Sequence, residues 1–181
     1  MPKDRYGSTS IVRRTPVSLG HRVRSDRQLA RLLQIGIVLE EVVEARAYHH
    51  YQSLSDDQRV LDAELEELLE HAAEESADHR SRLEELIDGL EADSIPFGEV
   101  ETLVEARYGQ TKPEDFDGVL YDQLCNEETA YKFYDDLIEA IEASDAEFSL
   151  DRAHLLTVLR ELRDEERDGV EEVTTIMQRR E

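Results

Sequence analysis

The chain has 181 residues, enough for one domain with its own core, and it carries 44 Asp and Glu against 21 Lys and Arg, a net charge of −23. Such acidity argues against nucleic acid as a partner, because a phosphate backbone would be repelled. Lysine is scarce and tryptophan is absent, a composition typical of proteins adapted to high salt, where screening makes self-repulsion tolerable. Much of the acidity is therefore expected to serve solvation, as in halophilic proteins.

The N-terminal segment differs in charge from the rest of the chain. Residues 1–31 contain eight Lys and Arg but only two Asp, a net charge of +6, so the remainder carries −29. We predict a basic, flexible arm over residues 1–25 and a helical domain over residues 26–181. The arm could contact a protein partner or the acidic body of its own oligomer, although a disordered tail is the simpler interpretation.

The sequence contains no sign of secretion or membrane insertion. Cys125 is the single cysteine, which excludes an internal disulfide and a Cys-rich metal site. No apolar run approaches the roughly 20 residues that a membrane span needs, and the N-terminus lacks the apolar core of a secretion signal. We therefore expect a cytoplasmic protein that does not enter a membrane.

Apolar residues recur with helical spacing in four long segments. The predicted helices span residues 26–54, 56–91, 113–143 and 149–179. Between the second and third helices, proline and glycine interrupt the pattern over residues 92–113, where a short helix is expected. This order predicts an all-α four-helix bundle in which two antiparallel helix pairs are joined by a long crossover that contains a short helix.

Polar residues at the expected helix starts support these boundaries. Ser25 or Asp26 is a plausible N-cap for the first helix, and Ser149 or Asp151 for the fourth. Pro113 fits the first turn of the third helix, where its missing N–H is not needed.

The first and third helices repeat one motif, Glu44-x-x-Ala47-x-x-x-Tyr51 and Glu127-x-x-Ala130-x-x-x-Tyr134. Positions i, i+3 and i+7 lie on one helix face, and this face is otherwise apolar. A buried Glu costs several kcal/mol unless it is paired, protonated or bound to a cation. Two Glu in matching settings therefore suggest a metal site.

The second and fourth helices also match, at an offset of 90 residues. Glu75-x-x-Asp78 aligns with Glu165-x-x-Asp168, so the two halves of the chain look like an internal duplication. This arrangement resembles the ferritin-like, rubrerythrin-type di-iron carboxylate proteins over residues 30–178. The resemblance implies two Fe or Mn ions per chain, and oxidation of ferrous iron or reduction of peroxide or dioxygen.

That family has Glu-x-x-His on each second helix, and this sequence departs from it. With Glu75 and Glu165 as ligands, Asp replaces His in both halves. With His79 as the family His, Ser76 takes the Glu position, and the equivalent pair in the fourth helix is Glu166 and Gly169. Neither register gives two complete motifs. The candidate metal ligands are Glu44, Glu75, Asp78, His79, Glu127, Glu165 and Asp168, with Tyr51 and Tyr134 around them.

Three kinds of site remain open. An all-carboxylate shell would favour Mn, Mg or Ca, and would leave excess negative charge in the core. A shell that includes His79 would be asymmetric and better suited to iron. A degenerate site would bind no metal and leave a structural or interaction protein. Glu166 is expected on the solvated surface, as are several other Glu residues.

Metal ions are therefore the expected ligands, and a homo-oligomer is the expected assembly. Apolar side chains at Leu32, Leu39 and Val42 favour a dimer, because they could leave a second face of the first helix to bury.

Overall fold

A computed structural model describes residues 23–53, 63–92 and 116–180 of the chain, without the side chains of residues 51, 53, 116 and 117. The regular structure in these ranges is entirely helical. The four helices are α1 (Asp26–Ser53), α2 (Ala63–Asp88), α3 (Phe116–Glu142) and α4 (Arg152–Arg180). The prediction of an all-α four-helix bundle is confirmed. The short helix expected within residues 92–113 lies almost wholly outside the described residues.

Contacts at the two ends of the bundle give the helix directions. At one end, the start of α1 meets the end of α2 and the start of α4, since Asp26 accepts hydrogen bonds from the backbone N–H groups of Glu91 (3.2 Å) and Ser149 (3.1 Å). At the other end, Arg179 of α4 lies 2.9 Å from Glu64 of α2. Helix α1 therefore runs antiparallel to α2 and parallel to α4.

Helix α3 begins at the far end from Asp26. Near its start, Asp122 lies 3.1 Å from His50 of α1, and near its end Asp135 lies 3.3 Å from Arg163 of α4. Helices α2 and α3 therefore run parallel, and residues 93–115 connect opposite ends of the bundle. These directions give two antiparallel pairs, α1 with α2 and α3 with α4, joined by the predicted long crossover.

Two cap residues were predicted as alternatives for α1 and two for α4, and in each case the structure shows which one caps the helix. Ser25 Oγ accepts a hydrogen bond from the Gln28 N–H (3.2 Å), and Asp151 Oδ1 accepts one from the His154 N–H (2.8 Å). These bonds satisfy backbone donors that have no partner within their own helix. Residues 1–22 of the predicted arm lie outside the described residues, whereas Val23 is buried in the core.

The core consists of two apolar layers. One layer surrounds Leu33, Leu83, Leu137 and Leu159, and the other surrounds Leu69, Leu120 and Val173. Between them the inward positions of the helices carry polar side chains, all buried: Glu40, Ser76, His79, Gln123, Glu127 and Glu166. This polar layer is where a functional site is expected, because buried charges require partners. None of the four described helices has the length and apolar character needed to cross a membrane.

Candidate metal centre

Each helix contributes one buried titratable side chain to the polar layer. They are Glu40 of α1, His79 of α2, Glu127 of α3 and Glu166 of α4, with 1%, 1%, 7% and 5% of their surface exposed. Helical spacing places them there, since His79 falls between Ala72 and Leu83 on the buried face of α2. We call these four residues the inner cluster.

His79 lies at the centre of the inner cluster. Its Nδ1 is 2.9 Å from Glu166 Oε1 and 3.4 Å from Glu40 Oε1. One ligand atom from each of the three residues lies within 4.8 Å of the other two. Two carboxylates and one imidazole from three helices thus converge on a single point, as ligands of one ion would.

Glu40 has one oxygen engaged and one available. The hydroxyl of Tyr134 donates a hydrogen bond to Glu40 Oε1, and the Tyr134 ring packs edge-on against His79 with the centroids 6.5 Å apart. Glu40 Oε2 is buried and makes no hydrogen bond. A buried carboxylate oxygen without a partner is costly, and a bound cation is one way to satisfy it.

Glu127 reaches the inner cluster because α4 carries no side chain opposite it. A Cβ atom built on Gly169 would lie 2.8 Å from Glu127 Cδ and closer still to Oε2. The carboxyl group is hydrogen-bonded to Glu166 and accepts a further bond from the Gln123 amide. Glu127 thus occupies the space next to Gly169 and contacts Glu166.

Burial and mutual contact change the protonation of the inner cluster. Burial raises the pKa of Glu166 to about 9 and that of Glu127 to about 7. Burial alone would lower the pKa of His79, but its hydrogen bonds to Glu166 and Glu40 outweigh that effect and raise the pKa to about 11. All three shifts have the same direction, so the metal-free cluster retains protons that the separate groups would release at neutral pH.

The opposite nitrogen of His79 faces a second, more exposed group. Nε2 lies 2.8 Å from Glu165 Oε2 and 3.8 Å from Glu75 Oε1. Arg82 also contacts Glu165, at 2.9 Å. His71, one turn before Glu75, lies 3.3 Å from its carboxylate. We call His71, Glu75 and Glu165 the outer cluster.

The structure brings four of the seven sequence-predicted ligands together. His79 and Glu127 belong to the inner cluster, and Glu75 and Glu165 to the outer one. Glu44 instead pairs with Arg80 at 2.7 Å. The side chains of Asp78 and Asp168 are 65% and 73% exposed and lie beside arginines.

Two residues that the sequence analysis did not select as ligands complete the inner cluster. Glu166 was expected on the surface, and that expectation is wrong, because the residue is 5% exposed. Glu40 belongs to neither of the repeated motifs. Both follow the buried stripes of their helices: Ile37 and Glu40 are three residues apart, and Leu162 and Glu166 are four apart. Tyr134 contacts the cluster through its hydroxyl group, whereas the Tyr51 side chain lies outside the described part of the chain.

Comparison with known proteins adds no identification. No family model, curated protein or solved structure matches this chain.

Proposed function

We propose that the protein binds one divalent transition-metal ion in the polar layer, through Glu40, His79 and Glu166. The observation that supports this most directly is the orphaned, buried Oε2 of Glu40, because the same carboxylate forms a possible ligand group with His79 and Glu166. Glu127, hydrogen-bonded to Glu166, would hold that ligand in place.

Charge favours one ion over the two that the family resemblance implies. Two carboxylates balance one divalent cation, with His79 neutral and Glu127 protonated. A second ion would need further ligands where the chain has Ser76 and Gly169. A second ion bound by Glu127 and a shared Glu166 would have oxygen ligands only, and such a site is less suited to redox metals.

The mixed donor set indicates the class of metal. Imidazole suits Zn, Fe, Cu and Ni, whereas carboxylates suit Mn, Mg and Ca, so one imidazole with two carboxylates favours Mn²⁺, Fe²⁺ or Zn²⁺. An iron or manganese ion held here would supply one-electron redox chemistry. Oxidation of ferrous iron and reduction of peroxide or dioxygen remain predictions from the family resemblance.

Binding would exchange protons for the metal. Ligation requires a neutral His79 and an ionised Glu166, and both groups hold a proton more tightly in the metal-free protein than as separate residues. We expect about two protons to be released per ion near neutral pH. Calorimetric titration in buffers of different ionisation enthalpy measures that number, and release of none would contradict ligation by these residues.

The experiment that tests the proposal compares two glutamates of one helix. Glu40→Gln is expected to lower the affinity for Mn²⁺ and Zn²⁺ by about tenfold to a hundredfold, while Glu44→Gln, the matched control, changes it little. Both substitutions preserve side-chain shape, and the amide oxygen introduced by Glu40→Gln can still accept a hydrogen bond from the Tyr134 hydroxyl. Equal losses in the two variants, or no metal bound by the wild type, would refute the site.

A metal-free structural role is the second candidate, and one observation favours it. His79 in its protonated form already balances the charge of Glu40, and Glu166 holds a proton of its own, so protons can satisfy much of the inner cluster without a metal. The bundle would then serve as a structural or interaction protein. Thermal denaturation separates the two functions, since a metal at about 100 times its Kd should add about 2.7 kcal/mol to the free energy of unfolding, and a structural bundle should gain nothing.

A further inference from the structure

The outer cluster has the composition of a second cation site. Glu75, Glu165 and Nε2 of His79 each offer an atom within 4.8 Å of the other two. His71 contacts this group through Glu75, since its Nδ1 lies 3.3 Å from Glu75 Oε2. The spacing His71, Glu75, His79 places both imidazoles one turn from the same carboxylate on one face of α2, with about 12 Å of helix between them. His71 can therefore hold Glu75 in position but does not share an ion with His79.

Exposure distinguishes this cluster from the inner one. The side chains of His71, Glu165 and Glu75 are 62%, 40% and 24% exposed, whereas that of His79 is 2% exposed. The ring of His79 thus separates a solvent-facing set of ligands at Nε2 from a buried set at Nδ1. An ion that approached along this face would meet the outer ligands first.

Arg82 is the competing cation at this surface. It contacts Glu165 at 2.9 Å, and it also contacts Glu161 at 2.8 Å and Asp78 at 3.6 Å. Because two other carboxylates lie within its reach, Arg82 can keep an ion-pair partner while Glu165 turns to a metal. The outer site therefore does not require an arginine to be left unpaired.

We propose that Glu75, Glu165 and Nε2 of His79, with His71 holding Glu75 in position, form a solvent-facing site that takes up a transition-metal ion before the ion reaches the inner cluster. The proposal rests on the proposed metal-binding function. It adds a second metal-binding site and the path by which an ion reaches the inner cluster. With the inner cluster disabled, the outer site should still hold an ion, since its carboxylates and His71 do not depend on Glu40.

The equilibrium test uses the full-length protein, Co²⁺ and Zn²⁺ as probes, and a Glu40→Gln background. Glu40→Gln alone should retain one weakly bound ion, and adding His71→Ala should weaken that binding by about tenfold or more. The matched control is His154→Ala, an exposed histidine in the first turn of α4. The outer site would be overturned if the Glu40→Gln variant bound no ion, or if His71→Ala did not weaken the binding that remains.

The kinetic test uses the wild-type background and stopped-flow mixing with limiting Co²⁺. His71→Ala should slow loading several-fold and leave the final affinity within about twofold, whereas His154→Ala should change neither. Glu75→Gln provides a second variant and should also slow loading. Loading rates that match the wild type in both variants would overturn the route.

The two proposals fail in different ways. If Glu40→Gln costs no affinity while His71→Ala removes all binding, the inner site is refuted and the outer one stands. If Glu40→Gln abolishes binding and His71→Ala changes neither affinity nor rate, the inner site stands and the outer one is refuted.

Discussion

The two helix pairs place equal numbers of buried titratable groups in the polar layer but differ in chemistry. Helices α1 and α2 provide Glu40 and His79, whereas α3 and α4 provide Glu127 and Glu166. At the 90-residue offset, His79 corresponds to Gly169, where the Glu127 side chain fills the space. At this offset the buried positions of α2 and α4 correspond, whereas their polar residues differ, so the inner cluster holds a single imidazole.

The largest effect is expected from removing that imidazole. In the metal-free protein, His79→Ala leaves Glu40 without its cation and Glu166 without its hydrogen-bond partner, and we expect the free energy of unfolding to fall by about 3 kcal/mol. Urea denaturation at pH 7 with a chelator measures the change. His154→Ala, on the exposed surface, should stay within about 0.5 kcal/mol of the wild type. A loss below about 1 kcal/mol for His79→Ala would show that the carboxylates do not depend on the imidazole.

A methyl group at Gly169 tests the packing of Glu127 in the second helix pair, α3 and α4. Gly169→Ala should reduce the free energy of unfolding by about 1–2 kcal/mol, because its Cβ would overlap the Glu127 carboxylate. In a Glu127→Ala background the same change should instead stabilise the protein by up to about 1 kcal/mol, through helix propensity. The double-mutant cycle isolates this coupling. If Gly169→Ala costs the same in both backgrounds, Glu127 does not occupy the space beside Gly169.

The pH dependence of stability tests the protonation of Glu127. Burial raises its pKa from 4.5 to about 7, so the stability that the protonated form contributes is lost as the pH rises through 7. Between pH 6 and pH 8 the metal-free wild type should lose about 1 kcal/mol relative to Glu127→Gln, which cannot ionise.

The control for this pH effect is Glu128→Gln, at an exposed neighbouring position. Its difference from the wild type should stay constant over the same pH range when the two proteins are compared by urea denaturation. A Glu127→Gln curve that runs parallel to the wild type would contradict a raised pKa.

Helical periodicity was sufficient to predict the fold. The apolar spacing placed both limits of α1 and α4, and the ends of α2 and α3, within about three residues of the structure, whereas the starts predicted at residues 56 and 113 lie outside the described residues. Ser25 and Asp151 cap α1 and α4 as two of the predicted alternatives. Such spacing shows which face of a helix is buried, and the buried faces determine how the helices pack into a bundle. The antiparallel pairing followed from the order of short and long connections.

The site was only partly predictable, because motif matching and burial select different residues. The matching motifs drew attention to Glu165, whereas the buried stripe of α4 runs through Leu162, Glu166 and Val173. One residue corresponds to a rotation of about 100° around a helix, which separates the core from the surface. The partners of Glu44 and Tyr134 could not be predicted, since they depend on Arg80 and Glu40 from other parts of the bundle.

The smallest expected effect belongs to the two aspartates that match the family's histidine positions. Asp78→Asn and Asp168→Asn alter exposed side chains, so each should change the free energy of unfolding by less than about 0.5 kcal/mol. Their affinity for Mn²⁺ should stay within about twofold of the wild type, whereas Glu166→Gln should lower it by about tenfold or more. Titration of all three variants under one condition measures this contrast. If Asp168→Asn weakened binding as much as Glu166→Gln, the ligands would follow the motif register and not the buried stripe, and α4 would have to rotate by about 160° to bring Asp168 inward in place of Glu166.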